Sequence, residues 1–213
     1  VDADPATPRG VLFDMDGTLI DSEHLWLSAE IDVMASLGSD WTTADQQLCL
    51  GGPLERVAEY MVVRSGTERA SGDVGALLLD TIEEYMRHAP LAWQPGAADL
   101  LEECLTRDIP RVLVTASWAR LVDALSDRMS QHFGRSPFTA VVAGDQVRNS
   151  KPHPEPYLMA ADALSAPPNT CLAIEDSPTG ITSAISAGCK VIGVPHLAPV
   201  HDVVAQATGV HIL

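Results

Sequence analysis

The chain has 213 residues, enough for one sizeable domain or one domain carrying an insertion, and its 46% hydrophobic and 20% charged residues describe an ordinary globular protein. Lysine and arginine number 13 against 29 acids, a net charge of −16, which repels nucleic acid and anionic membrane and excludes both as expected partners. No apolar run approaches the roughly 20 residues of a membrane helix, and the 4 cysteines form no CxxC pair, so buried free thiols in a reducing cytoplasm are the expectation.

In chain order, residues 1–10 are acidic and proline-containing, without the basic start and apolar core of a signal peptide, and read as a frayed tail. Val11-Leu12-Phe13 then runs straight into Asp14 and Asp16, with Gly17-Thr18-Leu19 behind. A short continuous apolar run is what a strand buried on both faces looks like, and the glycine lets the backbone turn tightly after it. Asp14 and Asp16 are thereby placed just past the carboxyl end of a central parallel strand, where open α/β sheets bind ligands. Strand alternation sends their side chains the same way, with Met15 opposite. Two such carboxylates repel, so one stays protonated unless a cation joins them. A hard divalent ion such as Mg²⁺ suits oxygen ligands of this kind. The pair also permits a division of labour, one acid as nucleophile and the other as proton donor and acceptor. A bare DxD is usually a strand end with two solvated acids; the apolar lead-in and the Gly-Thr-Leu argue against that here.

Residues 22–37 read as a helix, with Ser22 as N-cap and Gly38 as stop. Residues 39–88 stay helical, with Thr43, Pro53 and Gly72-Asp73 opening successive segments. No strand pattern interrupts, so the chain leaves the sheet after its first strand, builds a helical subdomain, and returns near 90–96. From Gly96 helix and strand patterns alternate, the signature of a parallel sheet. Helices are expected at 97–107, 118–129, 154–164 and 179–187, and strands at 111–115, 139–143, 171–174 and 190–194. Past Pro199 no element is assigned. The fold class is α/β: a Rossmann-like parallel-sheet core of residues 1–21 and 91–213, with an inserted α-helical cap of residues 22–90.

Three more places carry chemistry. Thr115 ends a strand before small residues, and its hydroxyl with the backbone N–H groups that follow, from Ala116 on, can cradle a phosphate oxygen without adding charge. Taken alone, such a threonine is usually just a helix cap. Lys151 sits in Asn149-Ser150-Lys151-Pro152-His153-Pro154, on a loop ahead of a proline-started helix, in a chain with few lysines. Cys171-Leu172-Ala173-Ile174-Glu175-Asp176-Ser177-Pro178 repeats the opening logic of apolar strand, paired acids and turn.

The run from Phe13 to Glu23 resembles the first motif of the haloacid dehalogenase-like (HAD) hydrolases, whose DxDGT consensus marks phosphotransfer enzymes. Thr115, Lys151 in its Lys-Pro-x-Pro setting, and Glu175-Asp176 resemble the second, third and fourth motifs in the same order. The resemblance spans Gly10 to about Pro195. It implies Mg²⁺ held by Asp14, the Asp16 carbonyl oxygen and Asp176, with Glu175 binding directly or through water. It implies Asp14 as nucleophile forming an aspartyl-phosphate, and Asp16 as general acid and base. Thr115, Ala116 and Lys151 would hold the phosphoryl group of a small phosphorylated metabolite. The helical insertion resembles a C1 cap, a lid for controlling water access; a monomer is the default.

Within that superfamily the look-alikes include β-phosphoglucomutase, sugar-phosphate phosphatases and phosphoglycolate phosphatase. Aligned on the Gly51 turn, the mutase's cap cations fall at Leu50 and Leu54 and its cap histidine at Trp26. Apolar residues cannot bind phosphate, so a phosphatase is the expectation and a mutase-like phosphotransferase the alternative. Arg56 or Arg64 offers a replacement cation, although a solvated helix face is the plainer reading of each. Asp16 argues against carbon–halogen chemistry, the absence of lysine from 22–90 against phosphonate chemistry, and the histidine spacing against zinc. A non-catalytic HAD-like binding protein would show a damaged constellation, and all four motifs are present.

Overall fold

Short aliphatic runs make the strands of this protein, and helix-starting residues follow them closely. The computed structural model describes residues 7–49, 53–194 and 210–212. Six strands, β1 (Gly10–Phe13), β2 (Arg111–Val114), β3 (Ala140–Val142), β4 (Cys171–Glu175), β5 (Lys190–Gly193) and β6 (Val210–Ile212), form a parallel sheet in the order β3-β2-β1-β4-β5-β6. The helices are α1 (Glu23–Ser36), α2 (Thr43–Cys49), α3 (Leu54–Ser65), α4 (Ser71–His88), α5 (Ala97–Thr106), α6 (Ala119–Phe133), α7 (Glu155–Ala163) and α8 (Pro178–Ser186). The chain steps outward from β1 to β3, then crosses to β4 on the other side of β1. Strand order therefore reverses between β1 and β4, and such a reversal opens a crevice at the carboxyl ends of the strands.

The chain divides into two compact units, Val1–Asp21 with Leu91–Leu213, and Ser22–Pro90. In the first, β1 and β2 are buried at every residue, as strands covered on both faces must be. Leu12 pairs with Val112 on one side and Ala173 on the other, so these side chains share one face of the sheet. With Val114 and Val191 they pack against Tyr157, Ala160 and Ala161 of α7 and Ile181 and Ala184 of α8. The alanines let the helix backbones approach the sheet, and each fully buried Leu or Val contributes roughly 1.5–3 kcal/mol. Where the chain leaves and re-enters this unit the two segments pair: the Asp21 N–H donates to Ala92 O and the Gln94 N–H to Leu19 O, both at 2.8 Å, around an antiparallel bridge between Ile20 and Trp93.

The second unit is helical throughout its described residues. Along α4, Val74, Leu78, Leu79, Ile82 and Met86 recur at helical spacing and are buried. Helix α2 opens on a reciprocal cap: the Asp45 N–H donates to Thr42 Oγ1 at 3.2 Å, and Asp45 Oδ2 accepts from the Thr42 N–H at 2.8 Å. The capping residue is thus Thr42, one position before the expected Thr43. Bonds from the Thr42 hydroxyl first, then from the Tyr60 hydroxyl, hold the Asp45 carboxyl well below the usual carboxylate range. Arg64 reaches Asp40 Oδ1 at 2.7 Å, and Asp45 Oδ1 and Ser39 Oγ at 3.3 Å. Arg56 Nη2 donates to Leu48 O at 3.1 Å. Arg64 ties the helical unit together, which the reading of a merely solvated face did not foresee, whereas Arg56 stays exposed on α3 as that reading had it.

Several boundaries also differ from the sequence reading. Gly10 belongs to β1 and the Arg9 N–H donates to Thr170 O at 2.9 Å, so the tail is tied down sooner than expected. Strand β6 lies where no element was assigned, and α6 runs on to Phe133. Leu50 and the Gly51 turn lie outside the described residues. No helix among those residues is long and apolar enough to cross a membrane.

Candidate active site

The ladder between β1 and β4 continues one bond past Phe13, where the Asp14 N–H donates to Ile174 O at 3.1 Å. That bond sets Asp14, 6% exposed, beside Glu175 at the end of β4. Lys151 comes in from the loop before α7, and its three ammonium hydrogens find Asp14 Oδ1 at 2.6 Å, Glu175 Oε1 at 2.6 Å and Val114 O at 2.9 Å. Burial alone would lower the pKa of this amine, but Asp14 and Glu175 outweigh it and raise the pKa above the usual lysine range. Lys151 stays charged.

Glu175 is fully buried and accepts four hydrogen bonds. Oε1 takes those of Lys151 and of the Tyr157 hydroxyl at 2.8 Å; Oε2 takes the Ser177 N–H at 3.3 Å and the Ser177 hydroxyl at 3.0 Å. Ser177 also caps α8, its Oγ accepting from the Gly180 N–H at 3.0 Å. A Cβ at Gly180 would overlap the Glu175 carboxyl, so the first turn of α8 is seated directly on that acid. Asp176 accepts from Thr18 Oγ1 at 3.2 Å. Gly17, at φ +84°, passes so close that a Cβ there would overlap Asp176 Oδ2.

Ligand-capable oxygens of Asp14, Glu175 and Asp176 lie within 4.8 Å of one another. Burial first, and Glu175 next, push the Asp14 carboxyl well above its ordinary range, and the same two causes push Asp176 up to about 7. Three acids around one ammonium leave a local excess of negative charge. A compact all-oxygen donor set short of positive charge fits a hard divalent cation.

The third wall comes from β2. The Thr115 N–H continues the sheet to Val142 O at 3.0 Å. Thr115 Oγ1 accepts from the Ser117 N–H at 2.9 Å and donates to Asp16 Oδ2 at 3.3 Å, and Ser117 Oγ donates to that same oxygen at 2.7 Å. The Gly144 N–H donates to Ser117 O at 2.8 Å, and Asp145 Oδ1 caps the first turn of α6 at the Ala119 N–H, 2.8 Å away.

Every residue expected at the site lies in this one unit. Asp14, Lys151 and Glu175 are in direct contact, Asp176 joins them in the acid cluster, and Asp16 and Thr115 are bonded to each other. Ala116 is exposed in the turn between Thr115 and Ser117. The Asp16 carboxylate accepts from both hydroxyls of that turn. Sequence reasoning missed Ser117, Tyr157, Ser177, Gly144 and Gly180. Ser177-Pro178 before Thr179-Gly180 carried a helix-start signal that pointed to the cap; the contact of Tyr157 with Glu175 left no local trace.

Comparison with known proteins places the chain in a family. The profile of the haloacid dehalogenase-like hydrolases matches residues 11–194. Protein CbbY of Cereibacter sphaeroides is 31% identical over 205 residues, covering 93% of this chain and 89% of that protein. Hexitol phosphatase B of Escherichia coli (strain K12) is 33% identical over 196 residues, covering 89% and 86%. A solved structure of a CbbY variant from Rhodobacter sphaeroides, in complex with xylulose-(1,5)-bisphosphate, aligns at a TM-score of 0.80 with 29% identity, covering 97% of this chain and 94% of that one. With the fold, the order of the four motifs and their meeting at one sheet rim all in agreement, the chain belongs to the haloacid dehalogenase-like hydrolase family.

Proposed function

We propose that this protein is a Mg²⁺-dependent phosphatase that hydrolyses a small phosphate monoester, a sugar phosphate or similar metabolite, through an aspartyl-phosphate on Asp14. The observation that carries the reading is the buried Asp14 carboxylate at the switch point of the sheet, its Oδ1 2.6 Å from Lys151 Nζ and two further acids beside it. The phosphatase name of one relative and the sugar bisphosphate bound to another support the substrate class.

Lys151 fixes the rotation of the Asp14 carboxylate and offsets its charge. A carboxylate oxygen of Asp14 attacks phosphorus, the bond from phosphorus to the leaving oxygen breaks, and Asp16 gives that oxygen its proton. In the second half Asp16 takes a proton from the attacking water, and inorganic phosphate leaves Asp14. The Thr115 hydroxyl, the Ala116 N–H and Lys151 hold the non-bridging oxygens. The side chains of Asp14 and Asp176 with the Asp16 carbonyl would hold Mg²⁺, which when bound orients the phosphate and neutralises its charge. Glu175, engaged by four donors, anchors Lys151. Residues 22–90 serve as the C1 cap that selects the alcohol. Hydrolysis is favoured over mutase chemistry because Trp26 and Leu54 are apolar and Arg56 and Arg64 are engaged within their own unit.

Asp14→Asn removes the nucleophile while keeping the shape of the side chain. It is expected to lower Mg²⁺-dependent phosphate release from 4-nitrophenyl phosphate by more than about a thousandfold, with cooperative unfolding retained. Turnover surviving in that variant sinks the assignment. A wild-type protein inert toward sugar phosphates, phosphoglycolate, nucleotides and aryl phosphates alike would instead favour the binding-protein reading.

A further inference from the structure

The turn of residues 115–117 is closed by its own hydroxyls. Thr115 Oγ1 accepts from the Ser117 N–H and donates to Asp16 Oδ2 at 3.3 Å, while Ser117 Oγ donates to that oxygen at 2.7 Å, the shorter of the two contacts. The turn itself is held at both ends. The Thr115 N–H is bonded into the sheet, the Gly144 N–H is bonded to Ser117 O, and a Cβ at 144 would overlap the Ala116 carbonyl oxygen. Ser117 therefore reaches Asp16 from a fixed base.

Two hydroxyls on one carboxylate oxygen limit how the carboxyl can rotate. Ser117 Oγ makes the shorter contact to Oδ2, and it does so from a turn fixed at both ends. We infer that Ser117 is a positioning residue for Asp16: its bond to Oδ2 holds the carboxyl in one rotation. This rests on the phosphatase reading and deepens it, giving Ser117 a part in proton transfer. In the first half-reaction the O–H bond of the Asp16 carboxyl breaks and the proton passes to the ester oxygen. The bond from phosphorus to that oxygen breaks with its electron pair moving onto the oxygen, and phosphorus becomes bonded to the Asp14 carboxylate. Asp16 is left as carboxylate. A carboxyl released from Ser117 still carries a proton, but delivers it less often in the productive direction. The loss then scales with how much the leaving oxygen needs that proton.

The test compares wild type, Ser117→Ala and Ser117→Thr on substituted phenyl phosphates in Mg²⁺, from phenyl phosphate to 2,4-dinitrophenyl phosphate. kcat/KM includes steps only up to departure of the phenol, so hydrolysis of the phosphoenzyme does not enter. Ser117→Ala is expected to lose about tenfold more kcat/KM on phenyl phosphate than on the dinitrophenyl ester, part of the 10²–10⁴ that a general acid contributes. Ser117→Thr, which keeps the hydroxyl, is expected to restore the wild-type dependence on leaving group. A uniform fall across the series would make Ser117 a phosphate-binding or merely structural residue and overturn the inference, as would an unchanged slope. Should the alanine variant fail to fold, Ser117→Cys, a much weaker donor of similar size, carries the same comparison. A wild type inactive on the whole series overturns the phosphatase reading and this inference with it; an active wild type with an unmoved slope in the variants overturns this inference alone.

Discussion

Glu30 lies on α1 with 7% exposure, and its Oε2 accepts from Trp41 Nε1 at 2.9 Å. Burial, only partly offset by that bond, pushes the carboxyl from 4.5 up to about 7. Across that window the folded protein holds a proton that the unfolded chain releases, so stability falls as pH rises through it. The loss is complete above the folded pKa and is on the order of 3 kcal/mol. Glu30→Gln keeps an oxygen for Trp41 and removes the titration. Urea unfolding at pH 5 and pH 8 is expected to show a smaller pH difference in the variant than in wild type, by about 2–3 kcal/mol; equal differences would mean that Glu30 ionises without penalty. At this scale the sequence was legible wherever neighbours in the chain dictate the geometry. Asp14, Thr115, Lys151 and Asp176 each stand at a strand end or before a turn that their own flanks specify. Ser117 meets Asp16 across 101 residues, and Tyr157 meets Glu175 through the packing of α7, so no local pattern announces either contact.

Helix α8 shows how an element can serve a site without supplying a ligand to it. Its capping serine holds Glu175, and Gly180 in its first turn leaves room for that carboxyl. In a helix, alanine is ordinarily preferred over glycine by roughly 1 kcal/mol. At Gly180 the clash opposes this preference, and overpacking, which costs about 1–3 kcal/mol, outweighs it. Gly180→Ala is therefore predicted to lower the thermal midpoint and to reduce kcat through the displaced Glu175 and Lys151. A variant more stable than wild type with full activity would show that α8 shifts away at no cost. The strands were readable as short continuous apolar runs, and most helices by the starting and stopping residues that bound them. Strand β6 was not, since His211 interrupts its apolar run, and Thr42 and Thr43 are distinguishable only by the reach of Asp45 back to the helix start.

At the scale of the whole molecule, a chain of net charge −16 concentrates three acids around one ammonium at the switch point of its sheet. A cation bound there stabilises the folded state by mass action, about 2.7 kcal/mol when its concentration is a hundred times the dissociation constant. Mg²⁺ is expected to raise the unfolding midpoint of wild type at pH 8, where Asp176 is ionised. In Asp176→Asn that response is expected to vanish, while the metal-free midpoint rises because one buried like charge is gone. A Mg²⁺ shift that survives in the variant would place the ion elsewhere. The class of sheet and the two-part division follow from the point at which the helical stretch interrupts the strand pattern, so both were visible in the sequence. The identity of the alcohol was not, because on the proposed reading it would depend on how the helices of 22–90 turn their faces, which no spacing rule fixes.

The backbone bonds joining Leu19 with Gln94 and Asp21 with Ala92 make everything from Ser22 to Pro90, topologically, one long loop with a fixed stem. Loop closure grows only logarithmically, about 0.6 kcal/mol per doubling of length. The sheet is thus nearly indifferent to what is threaded between those stems, whether a larger bundle, a smaller one or a tight turn. On the function proposed above, reaction and selectivity would occupy separable stretches of chain, and selection could rewrite the second while leaving the first untouched.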